Sequence, residues 1–317
     1  MATSSASRAS SPSTARIAHI WLGPERPPVV VDAIRRGGGV ETPIEEANVI
    51  VWANIRDPVT RLQELLHPGI EWVQFDSAGV EAWFAAGILD DARLWSSASG
   101  RYGGAVAEHV VVLLLACLRR IVEQQRAGKW LRVEGKALAG VTVGFVGGGA
   151  IARESIARLA PFGVRSLALC EPRVDVPGAE HTYGPEGLHD LLKASDHVVL
   201  AVPMTPATHH MIGRSELELI GDGLLINVAR GPVVDTDALV AVLAEGKLGG
   251  AGLDVTDPEP LPDDHPLWKM DNVLITSHSA NSLEMMHSAY AELVAENVAR
   301  FCRGEQPLGQ IDFALGY

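Results

Sequence analysis

A chain of 317 residues is long enough for about two domains that each bury a core of their own. With 47% hydrophobic and 21% charged residues it falls in the globular range, which excludes wholesale disorder. The formal net charge of −13 argues against a nucleic-acid partner and leaves the binding of any small anion to a local positive site.

Residues 1–15 are Ser-rich and carry no acid, and they read as a disordered tail without the apolar core of a secretory signal. Ordered structure is expected from residue 16, with a strand over 16–22. Pro27 and Pro28 then open a helix that Gly37, Gly38 and Gly39 end. Strands over 47–53 and 72–75 flank a helix that starts at Pro58 and stops at Pro68-Gly69, and the loop Asp76-Ser-Ala-Gly-Val80 follows. This alternation predicts a small parallel α/β unit. Residues 105–121 predict one long helix, apolar nearly all round, which needs burial between domains or against a second subunit. Glu108 and His109 interrupt it, and no run approaches the roughly 18 apolar residues of a membrane span. Cys117, Cys170 and Cys302 are scattered without CxxC spacing, as expected of small buried hydrophobes in a reducing compartment. The chain therefore reads as a soluble, cytoplasmic protein.

Next comes the stretch on which the fold turns. Val141, Val143, Phe145 and Val146 predict a buried parallel strand. Gly147-x-Gly149-x-x-Ala152 breaks it, and Ala152, Ile156 and Leu159 resume at helical spacing. In a dinucleotide fingerprint the first glycine makes the tight turn, the second admits the pyrophosphate, and a small third residue packs helix on strand. An acid should end the second strand to take the ribose hydroxyls, and Glu171 stands there, 24 positions after Gly147. Beyond it, strands over 197–202, 224–228, 249–255 and 273–276 alternate with helices, giving a dinucleotide domain of six strands. A closing helix over 283–303 has no strand after it and is expected to return to the first domain.

Ligands of open α/β sheets bind beyond the carboxyl ends of the strands. Arg230, Glu259 and His278 all fall at such ends. A permanent cation, a carboxylate and a proton carrier are the parts that reduction of a 2-oxo acid requires.

The runs around them are specific. Asn227-Val-Ala-Arg-Gly-Pro-Val-Val-Asp235, Gly252-Leu-Asp-Val-Thr-Asp-Pro-Glu-Pro-Leu261 and Asn272-Val-Leu-Ile-Thr-Ser-His278 resemble the hallmarks of the D-isomer-specific 2-hydroxyacid dehydrogenases. Ala201-Val-Pro-Met-Thr-Pro-Ala-Thr-His-His-Met-Ile-Gly213 and Ala105-Val-Ala-Glu-His109 match that family too, so the resemblance runs from residue 16 nearly to the end. It implies an NAD-dependent oxidoreductase, with NADP as an alternative, acting on a small D-2-hydroxy acid and its 2-oxo partner. It implies a Rossmann dinucleotide-binding domain, residues 103–282, inserted into a smaller flavodoxin-like α/β substrate domain built from 16–102 and 283–317. His278 would be the general acid/base, Glu259 its tuning partner, and Arg230 the ligand of the substrate carboxylate and carbonyl. The backbone of Ala78 and Gly79 would hold the same carboxylate. Cofactor contacts are implied at Gly147, Gly149, Ala150, Ile151, Glu171, Val202, Pro203, Thr208, Val228, Ala229 and Asp254, the last on the nicotinamide amide. A homodimer formed through the long helix is also implied, and no metal is.

Several positions depart from the family pattern. Ala152 replaces the third glycine, Ser277 stands where proline is common, and Glu171 replaces the more usual Asp. A carboxylate at 171 repels a 2′-phosphate and favours NAD, while Arg173 could approach one. Asp76 is an unexpected acid in the substrate loop, either pointing away or selecting against large anions. Arg56 reads as a contact for a distal phosphate or, in preference, an ordinary loop charge, His109 as helix packing, and Trp268 as a cover for the cleft or plain packing. His209 and His210 have no ligand partner at metal spacing. The other reading of the same residues is a non-catalytic NAD-sensing protein, co-repressor-like, on the same fold. Formate dehydrogenases are disfavoured because they lack a glutamate paired with the histidine.

Overall fold

The computed structural model describes residues 16–54, 59–170 and 174–316. Arg56, Glu171 and Arg173 lie outside the described residues. The chain divides into two compact units. One comprises the described residues up to Ser77, with Ala82–Ala98 and His287–Ile311; the other holds Ala78–Glu81, Ser99–Met286 and the residues from Asp312 on.

In the first unit the order is β1 (His19–Pro24), α1 (Pro28–Arg36), β2 (Val40–Glu41), β3 (Val49–Ala53), α2 (Val59–Leu65), β4 (Trp72–Gln74), α3 (Glu81–Ala85, of which Glu81 groups with the second unit) and β5 (Leu94–Ser96). All strand pairs are parallel, in the order β2-β1-β3-β4-β5, which is the flavodoxin arrangement. Strand β3, Val-Ile-Val-Trp-Ala, is buried at every residue, as a central parallel strand covered on both faces must be. Pro28 starts α1 where a missing N–H costs nothing, and the Gly37 amide caps it by donating to Ala33 O. The core is aromatic: Phe75 stacks on Trp83 with centroids 4.5 Å apart, and Trp83 meets Trp52 edge-on. β2 and β5 were not predicted. They are two and three residues long, too short to show a period.

The second unit runs α4 (Gly103–Leu118), α5 (Ile121–Arg126), β6 (Thr142–Val146), α6 (Ala150–Leu159), β7 (Arg165–Leu169), β8 (His181–Tyr183), α7 (Leu188–Ala194), β9 (His197–Leu200), α8 (Arg214–Ile220), β10 (Leu224–Asn227), α9 (Thr236–Ala244), β11 (Gly250–Leu253) and β12 (Val273–Ile275). Helix α10 (Leu283–Cys302) then carries the chain back into the first unit from His287 onward. There the Tyr290 hydroxyl donates to Trp52 O and Gln74 O, and Asn297 Nδ2 donates to Gln74 Oε1.

The second sheet is parallel throughout, ordered β12-β11-β10-β9-β6-β7-β8. It is the doubly wound dinucleotide order, β8-β7-β6-β9-β10-β11, with β12 added at one edge, so the sheet has seven strands where six are expected from the sequence. The overlooked strand is β8, His-Thr-Tyr at the edge beyond β7, where only Thr182 is buried and no apolar run announces it. The predicted helix over 105–121 is also two helices. α4 ends at Leu118, Arg120 takes a left-handed turn at φ +51°, and α5 restarts at Ile121. Small residues let α4 approach the sheet: a Cβ at Gly252 would stand 3.1 Å from Leu113 Cβ.

Candidate active site

The turn after β6 has the shape a phosphate requires. Gly147 sits at φ +119°, a conformation that only glycine adopts readily, and a Cβ there would lie 2.4 Å from Ala201 O. Gly149 is extended and caps α6, and a Cβ built on it meets no atom within 4 Å. Gly149 thus borders open space at a helix N-terminus, where the first amides have no partner within the helix, which suits a pyrophosphate. Ala152 is fully buried beneath the turn. Across the sheet, the turn after β9 carries Val202, Pro203 and Thr208. Thr208 Oγ1 pins that turn, donating to Pro203 O at 2.7 Å and accepting from the Thr205 amide. Val228 and Ala229 lie buried at the end of β10. These residues fit a dinucleotide along the carboxyl edge of the sheet.

Three turns at the same edge carry the chemical groups. After β10, Asn227 folds the chain back: its Oδ1 accepts the Ala229 amide and its Nδ2 donates to Arg230 O. Arg230 is thereby held extended, with its guanidinium Nε 3.3 Å from Glu81 Oε1. Ala78 and Gly79 belong to the same group of residues, and a Cβ on Gly79 would fall 2.2 Å from Arg230 Nη2, so this guanidinium lies directly against the Gly79 backbone. Glu81 escaped the sequence reading because nothing in its surroundings marks it as an arginine's partner.

After β11, Glu259 turns back toward the end of β12, where His278 stands. His278 Nδ1 and Glu259 Oε1 are 2.7 Å apart, and both side chains are about half exposed. With Nδ1 committed to the carboxylate, Nε2 is the ring nitrogen left for exchange of a proton with a ligand.

Beneath this pair lies Asp254, 3% exposed. Burial pushes its carboxyl up, but donors from His109, Thr276, Ser279 and Ala280 outweigh that and hold it at about 2. Thr276 Oγ1 lies 2.6 Å from Asp254 Oδ1, and His109 Nε2 is 2.9 Å from Thr276 Oγ1. His109 was expected only to pack a helix, and its imidazole instead enters a polar network. Trp268 has a local role as well: its Nε1 donates to Pro262 O, and its carbonyl accepts from Arg126. His209 and His210 stack on one another at 4.0 Å. Asp76, in the first unit, points away from solvent at 2% exposure. Burial lifts its carboxyl to about 7, reinforced by Glu25 and opposed by backbone donors at Asn54, Asp76 and Ser77.

Residues 111–280 match the model for the NAD-binding domain of D-isomer specific 2-hydroxyacid dehydrogenases. The chain belongs to that family. A 2-hydroxyacid dehydrogenase of this kind is an NAD(P)-dependent oxidoreductase. Among relatives, the uncharacterized protein in the proB 3′ region of Corynebacterium melassecola is 35% identical over 94% of this chain and 98% of its own. The glyoxylate reductase of Thermococcus litoralis is 33% identical over 91% of this chain and 88% of its own. A solved D-isomer specific 2-hydroxyacid dehydrogenase from Xanthobacter autotrophicus Py2, in complex with NADPH and MES, superposes with a TM-score of 0.81 at 28% identity, covering 96% of this chain and all of that one.

Proposed function

We propose that this dehydrogenase interconverts a small 2-oxo acid of the glyoxylate or hydroxypyruvate class and the corresponding D-2-hydroxy acid. The observation that carries the reading is the 2.7 Å pairing of His278 with Glu259 at the carboxyl edge of the nucleotide-binding sheet. A nicotinamide cofactor held by the residues of that edge would supply the hydride to the substrate C2, or accept it in the reverse direction. In the reducing direction His278 gives the Nε2 proton to the carbonyl oxygen, and Glu259 stabilises the imidazolium that precedes the transfer. Arg230 holds the substrate carboxylate and polarises its carbonyl, with the amides of Ala78 and Gly79 as further donors. Asp254, fixed as a carboxylate, accepts from the nicotinamide amide. Gly147, Gly149, Ala150, Ile151, Val202, Pro203, Thr208, Val228 and Ala229 line the cofactor's path, and Glu171 takes the ribose hydroxyls and favours NAD over NADP. The glyoxylate reductase relative supports the choice of a short substrate.

We assign residues 103–282 as the NAD-binding domain and 16–102 with 283–317 as the substrate domain, in a soluble cytoplasmic homodimer. No helix among the described residues is long and apolar enough to cross a membrane. The deciding experiment follows NADH and NADPH absorbance with a panel of 2-oxo acids, beside an Arg230→Ala control. Turnover of a short 2-oxo acid that the control loses is the expected result. Tight cofactor binding without turnover on any acid would overturn the assignment.

A further inference from the structure

The turn that carries His278 is wound on one buried carboxylate. Asp254 Oδ1 accepts the Ser279 amide at 2.9 Å and Oδ2 accepts the Ala280 amide at 3.1 Å, while the Asp254 carbonyl accepts the His278 amide at 2.8 Å. His278 itself sits at φ +48°, a region that non-glycine residues seldom occupy. The backbone that aims this imidazole is therefore set by how firmly Asp254 is held.

Asp254 is held from the side by another element. A carboxylate only accepts, so the Thr276 hydroxyl proton points at Asp254 Oδ1, 2.6 Å away. The hydroxyl oxygen is then left to accept, and its neighbour at 2.9 Å is His109 Nε2, which must carry a hydrogen. The same nitrogen lies 3.3 Å from Asp254 Oδ1, and the imidazole is 16% exposed. His109 comes from α4, 167 positions before Thr276 in the chain. It is the side-chain donor that ties the β12 turn to a long helix packed on the sheet.

We propose that His109 is a positioning residue for the reaction, fixing the turn that carries His278 through Thr276 and Asp254. The inference rests on His278 being the acid/base group, as read above. A residue that only filled space could be replaced by one of similar bulk, so His109→Leu and His109→Gln separate the two roles: leucine removes the N–H and glutamine keeps an N–H donor. Thr276→Val breaks the same relay at its middle and serves if the leucine variant does not fold.

Two readouts on the full-length protein decide the matter. The first is kcat per NADH-binding site, with KM. His109→Leu is expected to lower kcat by roughly 10- to 100-fold with KM changed by less than about threefold, and His109→Gln to recover most of that loss. The second needs no turnover: hydrogen exchange at the amides of His278, Ser279 and Ala280 is expected to quicken by about tenfold or more in the leucine variant and to stay slow in the glutamine variant. A leucine variant with wild-type kcat, or with unchanged exchange at these amides, overturns the proposal. Turnover that survives His278→Gln overturns instead the acid/base reading, and the exchange rates still decide whether His109 anchors the turn.

Discussion

At the scale of the residue, the site is a set of polar groups whose partners fix their state. The Glu259 carboxylate orients His278 and leaves a single nitrogen for proton transfer, so His278→Gln should lower kcat by about 10²–10⁴-fold while NADH binding is retained. Stopped-flow turnover beside a fluorescence titration of NADH checks this, and a variant with near-normal kcat would remove His278 from its role. Asp76 gives a prediction about stability. Its carboxyl titrates at about 7 in the fold against 3.8 ordinarily, so the folded state binds the proton more tightly than the unfolded chain. This group's cost to stability is absent below about pH 4, grows as pH rises, and is complete above about 7. Asp76→Asn should therefore gain stability over the parent by about 2–4 kcal/mol at pH 8 but little at pH 4.5. Denaturant titrations at the two pH values test it, and an equal difference at both would sink the argument. The pairing of His278 with Glu259 could be read from sequence because each stands in a run with its own pattern. The ties of His109 to Thr276 and of Arg230 to Glu81 could not, since each joins turns or helices far apart in the chain that carry no common motif.

At the scale of the element, what matters is how closely the strand ends approach one another. A Cβ on Gly231 would stand 1.9 Å from Thr256 O and 2.7 Å from Asp257 N, so the turns bearing Arg230 and Glu259 touch backbone to backbone. Gly231→Ala should force them apart, costing about 1–3 kcal/mol of stability and roughly 10²-fold in kcat/KM, with the protein still folded by circular dichroism. Wild-type kinetics in that variant would mean the turns have slack. Buried runs such as those of β3, β6 and β9 declared themselves in the sequence because a covered parallel strand is mostly apolar. Edge pieces such as β2 and β8 did not, because two or three residues with one face open carry no such signal. The break between α4 and α5 was hidden for a different reason. Arg120 makes a left-handed turn without the glycine that would have marked it.

At the scale of the whole molecule, both sheets are parallel and the second unit leaves apolar side chains uncovered. Trp130 is 93% exposed, Val112 on α4 is 55% exposed and Ile121 on α5 is 44% exposed, and all three belong to the second unit. These are the groups the proposed homodimer would bury. Sedimentation should give twice the mass of one chain, and Val112→Arg with Trp130→Glu should halve it; a parent that sediments as a single chain would contradict the dimer. The first unit has a further property with a bearing on synthesis. Its sheet is complete by Ser96, yet Trp52 and Gln74 obtain their partners Tyr290 and Asn297 only from α10. A ribosome adds about 5–20 residues per second, so the nascent sheet waits roughly 10–40 s for its last helix while the whole nucleotide-binding unit emerges behind it. The sheet is made before its closing helix, and over that interval the carbonyls of Trp52 and Gln74 lack the Tyr290 hydroxyl and are within a chaperone's reach.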